Sequence, residues 1–470
     1  MDLPSRVFLG YNPATRGASG TYPRIRYRNW NAFVTDDWKL TPTLTMNIGL
    51  RMEHFSRLYD KNGQTRNFDF STLSLYPAPY TSAPLNDPIT NWAPRIGFAW
   101  RPFGGASTVV RTGYGIFYNF GMVNTWVPNL ATNPPNNLSI QQFNLPGQVL
   151  INMATADQAS ALAISNAIYA VQPHAKSYAQ NWNFNIQRAL PKSVILEVGY
   201  AGSKSTHFDQ PHGLNLYVPG TTVRQYPQYG GITYYSYDVA GSYNGLLTKV
   251  EKRFSGGLTF VQTYTWSKTM FDNFACCGTT WGSNPFNYRA EKGRAEWDVR
   301  HRSTSAWLYE LPFFKGKRNF TGQLLGGWQV NGTMTIATGM PLNILQSALP
   351  VQDGCPGCGY RPDLVGNPHL DNPSVQKWFN TAAFATANGH YGNAGRNILT
   401  NPGLFDIDFS VFKNFPITES KTIQFRWENY NFTNTPPLNA PDGTLGSGSF
   451  GRITTAGNGR EMQFALRFQF

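Results

Sequence analysis

A chain of 470 residues and 52.5 kDa exceeds what one soluble hydrophobic core usually holds, which leaves several domains or one large barrel. Charged residues make up only 14%, aromatics reach 15%, and Gly and Pro number 45 and 32, a turn-rich balance far from the roughly 25% charge of ordinary soluble domains. The net charge of +13 is spread along the chain and gathers in no basic stripe, which argues against a nucleic-acid partner.

The opening residues, MDLPSRVFLGYNP, have neither the basic nor the apolar region of a signal peptide, so any export signal is expected outside them. From there on, apolar and polar residues alternate with period two. Leu44, Met46, Ile48, Leu50 and Met52 interleave with Thr45, Asn47, Gly49 and Arg51, which puts the two sets on opposite faces of a strand. The same pattern predicts strands at 28–40, 43–57, 91–103, 107–119, 179–190 and 193–205. It continues at 244–254, 258–270, 301–312, 322–345, 404–415, 421–432 and 459–470. The Ala-rich run from Ala154 to Val171 reads as a short surface helix. No window holds the roughly 20 consecutive apolar residues of a transmembrane helix.

The connections alternate. Short ones fall at Thr41 and Pro42, 104–106, Pro191 and Lys192, 255–257, 313–321 and 416–420, and long ones at 58–90, 120–178, 206–243, 271–300, 346–403 and 433–458. Short turns on one side and long loops on the other are the plan of an all-β, antiparallel transmembrane β-barrel with periplasmic turns and extracellular loops. Tryptophans near strand ends, among them Trp30, Trp38, Trp92, Trp100, Trp182, Trp266, Trp307 and Trp328, suit interfacial girdles. Both the first and the last strand should run toward the periplasm, giving an odd count of about thirteen where single-chain barrels have even counts. The chain is therefore expected to be the carboxy-terminal section of a larger barrel, with 1–27 part of an extracellular loop and 28–470 the barrel section. Arg51, Arg111, Glu197, Lys249, Glu251, Arg253 and Arg467 take inward positions and should line a polar lumen.

Several blocks together resemble a known family. GNAGRN (392–397), FDIDFSVFKNFPI (405–417), IQFRWENYNFTNTP (423–436), FGRI (450–453) and REMQFALRFQF (460–470), with NWNAFVTDDWKLTPTLTMNIGLRMEHF (29–55), NWAPRIGFAWRPF (91–103) and WDVRHRSTSAWLYELPF (297–313) upstream, are similar to the barrel of TonB-dependent receptors of the Oar-like group. The resemblance implies a 22-stranded barrel in the bacterial outer membrane. Its loops would take an unknown small-molecule, glycan or peptide ligand for import, and its final residues Phe464, Leu466, Phe468 and Phe470 would be read by the outer-membrane assembly machinery. No stretch resembles a plug or a carboxypeptidase-regulatory-like domain, so the inner-membrane TonB complex would be reached only through a plug missing here. Binding or adhesion through surface loops, without transport, is the alternative.

Catalysis is not expected, and neither is a cofactor or a metal. Gly446, Gly448 and Gly451 match GxGxxG but precede a strand pattern where a dinucleotide site needs a helix. Cys355 and Cys358 are expected to form a local disulfide rather than a zinc knuckle, since no second pair accompanies them. For Cys276 and Cys277 a vicinal disulfide, a bridge to another loop and free thiols all remain open. His207, Asp209 and His212 in HFDQPH carry metal-ligand chemistry in a loop, short of the four ordered ligands of a structural zinc site. Glu296, Asp298, Arg300 and His301 read as a salt-bridged loop base.

Overall fold

The computed structural model describes residues 23–76, 88–119, 127–133 without 128, 168–172, 176–272 without 219, 220 and 228, 282–314, and 319–470 without 349, 352, 354, 356, 357, 419 and 420. For 6–12, 17–18, 138–143 and 163–165 it gives the backbone of short strands. Most of the expected loop at 1–27, and Cys276 and Cys277, lie outside the described residues.

One sheet organises the molecule. Its strands are β1 (Asn29–Thr41), β2 (Leu44–Phe55), β3 (Ile89–Trp100), β4 (Thr108–Asn119), β5 (Ser177–Leu190), β6 (Val194–Leu214) and β7 (Ile232–Ser255). They are followed by β8 (Leu258–Phe271), β9 (His301–Glu310), β10 (Trp328–Ala337), β11 (Leu404–Pro416), β12 (Thr422–Tyr430) and β13 (Glu461–Gln469). Each strand pairs antiparallel with its neighbours in sequence, so the path runs from β1 to β13 without a crossover. Among the described residues β1 pairs only with β2 and β13 only with β12, and the sheet is not closed on itself.

Register sorts the side chains. Ile48 lies opposite Ile96, and Asn47 opposite Gly97; Ile96 in turn faces Tyr114. Cross-strand partners share a face, so the apolar set forms one continuous surface. Every strand tryptophan noted above falls on it, in two rows: Trp38, Trp100, Trp307 and Trp328 near the short turns, Trp30, Trp92, Trp182 and Trp266 near the long loops. This face is open, with Phe464 and Leu466 exposed at 68% and 76%. A soluble sheet would have buried it.

The tightest turns explain the register. Between β7 and β8 the chain reverses through Gly256 (φ +61°) and Gly257 (φ +82°), the left-handed pair that suits the twist of a hairpin. A Cβ on Gly257 would also stand 2.8 Å from the Glu310 carbonyl oxygen. Gly257→Ala is expected to cost about 1–2 kcal/mol, measured as a lower thermal transition of the folded protein in detergent; an unchanged transition would show that the turn relaxes freely.

Four expected elements differ. The strand at 322–345 spans 328–337: its start is displaced because Asn319 caps a short helix α1 (Phe320–Leu325) by accepting from the Gly322 amide at 2.9 Å, which Gly326 and Gly327 end before β10, and beyond Ala337 the chain leaves the sheet, Pro341 and Leu342 pairing instead with Thr400 and Leu399. The connection at 313–321 is longer for the same reason. The strands expected at 193–205 and 244–254 run on to Leu214 and start at Ile232, since a bulge near His207 restores the pairing instead of ending it. The 24 residues of β7 extend roughly 80 Å at about 3.3 Å each, well beyond any bilayer. Within the run read as a surface helix, Ile168–Val171 forms a buried strand parallel to Ile232–Tyr235, β-branched and aromatic residues having overridden the Ala-rich composition.

The buried core lies in the loops. Leu58, Leu130, Val171 and Tyr235 form one cluster beside the outer end of β7. Ile344, Phe379, Phe384 and Leu399 form another, against which Phe450 packs. Asp60, 1% exposed, accepts from the amides of Arg24, Gln64 and Thr65 at 2.8, 2.7 and 3.0 Å. Buried apolar area and hydrogen-bonded buried groups such as Asp60 make this loop layer a folded unit.

Candidate ligand-binding loop layer

Three long loops meet above the middle of the sheet: 215–231, 272–300 and 338–403. What joins the last two is a buried ion pair. Arg361 Nη1 lies 2.6 Å from Glu291 Oε2, with the side chains 4% and 2% exposed. Arg361 Nε donates to the Ala394 carbonyl at 2.8 Å and its amide to Ser283 Oγ at 2.9 Å. Glu291 Oε1 accepts from the Ser283 amide at 2.8 Å. The GNAGRN block supplies the second tie: Arg396 donates to the carbonyls of Phe271 and Glu291, each at 3.3 Å, and Asn397 to that of Arg294 at 2.6 Å. The block that carried much of the resemblance is a brace.

Behind that brace opens a cavity of about 870 Å³, lined among others by Tyr217, Phe286, Pro350, Asp353, Asn388 and Tyr391. Asp353 is its hub. Its carboxylate accepts from the hydroxyls of Tyr360 and Tyr391 at 2.7 and 2.8 Å and from the Cys355 amide at 2.9 Å. Burial first, and the hydrogen bond to Asp353 second, push both phenols well above their usual range, so they stay protonated donors. Cys355 and Cys358 are joined by a disulfide with an S–S distance of 1.91 Å, packed against Leu216. At the rim, the hydrogen bond to Asp363 at 2.7 Å raises the His390 pKa, helped by the Asn388 carbonyl. Phe286 is 64% exposed, an aromatic surface presented outward beside anchored phenols.

The sheet below is polar on its inner-parity face. Arg51, Arg111, Glu197, Lys249, Glu251, Arg253 and Arg467 all fall on that one face by register. Their neighbours are paired along it: Arg51 with Glu53 at 2.5 Å, Lys249 with Glu251 at 2.7 Å, Arg253 with Glu251 at 3.9 Å. Arg111 donates to Gln187 at 2.8 Å and Asn185 to Glu197 at 2.7 Å. Phe464, Leu466 and Phe468 of β13 take the opposite, apolar face, and Phe470 beside them is 91% exposed.

A polar face of paired charges, an open apolar face bounded by two rows of tryptophan, and a core displaced into the loops together describe a wall between water and lipid. The model of the outer membrane beta barrel domain family matches residues 5–463. The chain belongs to that family. It is an integral outer-membrane protein, and among its described residues no helix is long and apolar enough to cross a membrane. No curated protein sequence matches it significantly. Among solved structures the barrel is similar to the copper transporter OprC, at 11% identity and a TM-score of 0.45 over 98% of this chain and 51% of that one. It is also similar to the Pseudomonas aeruginosa FpvA complex with a pyoverdine and iron, at 10% and 0.48 over 97% and 40%, and to the Escherichia coli outer membrane transporter YddB, at 7% and 0.46 over 95% and 54%. The chain thus spans about half the length of these structures or less.

The residues of HFDQPH do not assemble as one set. His207 is exposed at the bulge with φ +58°, and Asp209, its carboxyl raised by burial, points to the face opposite Gln210 and His212. Among the described residues no three His, Cys, Asp or Glu gather around a metal position. Asp298, fully buried, accepts from Arg294 at 2.9 Å and from the Thr269 amide at 2.6 Å, while Glu296 lies 3.8 Å from Arg396 and His301 hydrogen-bonds Tyr264 at 2.8 Å. They brace the loop base. Gly446 and Gly451 take positive φ in a loop with no helix following. Sequence reasoning missed Asp353, Tyr391, Glu291 and Arg361; only the period-two run ITYYSYDVAGSYNG from 232 onward signalled that ordered structure continues above the membrane.

Proposed function

We propose that the chain is the barrel section of a TonB-dependent receptor of the Oar-like group, in a 22-stranded closed barrel, taking its ligand in the loop layer for import. The observation that carries the reading is the cavity around Asp353, a volume in the range of small-ligand sites, held on buried ties and opening on exposed Phe286. Support also comes from the blocks quoted above and from the alternation of shorter and longer connections, which only 311–327, lengthened by α1, blurs. On this reading the seven inner-parity charges line the lumen, the terminal aromatic residues are read by the assembly machinery, and the carboxylate hub takes the O–H of both phenols, leaving their oxygen lone pairs as hydrogen-bond acceptors toward the ligand.

The test is a thermal-shift screen of the purified protein against ferric siderophores, cobalamin, oligosaccharides and short peptides. One class is expected to raise the transition, and Phe286→Ala combined with Tyr391→Ala to weaken that binding by about thirtyfold, as loss of an aromatic anchor does. Uptake of the same compound should vanish in cells lacking TonB. Binding without any uptake would replace import by adhesion, and no response from any class would remove the cavity as the site.

A further inference from the structure

We propose that the outer ladder of β6 and β7 holds an exchangeable divalent metal ion of the zinc class, bound by His212, Asp238 and Gln210. Gln210 pairs with Ser236 and His212 with Tyr234 across this ladder, so Gln210, His212, Ser236 and Asp238 share one face. His212 Nε2 lies 3.1 Å from Asp238 Oδ1 and 3.1 Å from the Gln210 amide nitrogen, which is itself 3.3 Å from Asp238 Oδ1. Three side-chain ends at these mutual spacings form a near-equilateral triangle. Ligand atoms about 2.0–2.2 Å from a tetrahedral zinc ion stand roughly 3.4 Å apart, and the triangle is of that size.

Hydrogen bonding within the cluster leaves it unsatisfied. A proton on His212 Nε2 serves Asp238 but opposes the Gln210 amide donors; without one, the reverse holds. Gln210 and His212 are 7% and 3% exposed, yet among the described residues Gln210 Oε1 has no partner. Buried polar atoms are rarely left so. Turning the Gln210 amide, whose two ends are assigned and not observed, brings Oε1 into the triangle. The cation then meets an imidazole lone pair, a carboxylate oxygen and an amide oxygen, a donor set suited to borderline metals. The remaining imidazole proton sits on Nδ1, with the Tyr288 ring packed at 3.9 Å and 71° against His212. Ser236 Oγ donates to Asp238 at 2.9 Å, orienting the carboxylate from outside the ligand set.

The site faces a cavity of about 500 Å³ that Asp238, Asp272, Arg289 and Lys292 also line. That opening leaves room for water in the fourth position. Lys292 is 4.0 Å from Asp272 and Arg289 is exposed, so two cations share the rim with two carboxylates. Their repulsion of a third cation sets the affinity below that of a closed structural site, which makes the ion one that loads and leaves.

Tagless protein in detergent, stripped with a chelator, is titrated with Co²⁺ while visible absorption is followed, and with Zn²⁺ against a chromophoric chelator. One equivalent is expected to bind, with His212→Gln and Asp238→Asn each weakening it at least about tenfold, and His390→Gln leaving it unchanged. Absence of stoichiometric binding, or unaltered binding in His212→Gln, overturns the proposal. Should His212→Gln lose its heat-modifiable mobility, Asp238→Asn decides, its carboxyl being 54% exposed; unaltered binding there overturns the proposal equally. The result is independent of whether any ligand is imported.

Discussion

Replacing Glu291 by Leu is expected to lower the stability of the loop layer by about 3–5 kcal/mol, because it leaves the Arg361 guanidinium charged, buried and without its counter-ion. The pair holds loop 272–300 to loop 338–403, and the loss should appear as rapid protease cutting within 338–403 on intact outer membranes. The sheet should keep its heat-modifiable mobility, since neither side chain belongs to a membrane strand. The double variant Glu291→Leu with Arg361→Met is expected to recover most of the loss, as buried ion pairs often exchange for apolar residues at little cost. Wild-type protease resistance in the single variant would mean that Arg396 and Asn397 hold the loops alone.

The second large effect separates the two faces of the sheet. Ile96 stands near the middle of β3, between Ile48 and Tyr114, on the apolar face. Ile96→Arg is expected to cost about 2–4 kcal/mol and to reduce the amount of folded barrel in the outer membrane. Asn183 lies on the other face, opposite Gly113 and Ala201, where an arginine has space and water. Asn183→Arg is expected to stay within about 0.5 kcal/mol of the parent. Equal loss from both substitutions, measured by folded-band intensity and denaturant unfolding in detergent, would reject the assignment of lipid and water to these faces.

The sheet was legible because period two survives in sequence wherever one face meets lipid: Leu44 to Met52 and Met462 to Phe470 state their faces residue by residue. The loop layer was not. Its contacts join residues far apart in the chain, such as Asn67 with Val171 or Arg361 with Glu291, and a buried Glu or Arg looks in sequence like a solvated one. HFDQPH shows both limits at once: His212 was singled out together with Asp209, which lies on the other face, while its neighbours Gln210 and Asp238 were not, Asp238 lying on another strand. The start of the expected strand at 322–345 failed for a local reason, the cap at Asn319.

The placement of the core has a consequence for the order of events when the chain folds. Alternate pairs of sheet strands are joined through short turns such as that at Gly256 and Gly257, so those hairpins can close at small loop-closure cost, whereas β4 with β5 and β10 with β11 pair across long loops. The links that settle the loop layer span 104 residues for Asn67 and Val171 and 70 for Arg361 and Glu291, the slow class of contact. Hairpins should therefore form early, and the pairings across the long loops should set together with the outer layer, so the loop layer matures in the same late step that joins the hairpins into one sheet.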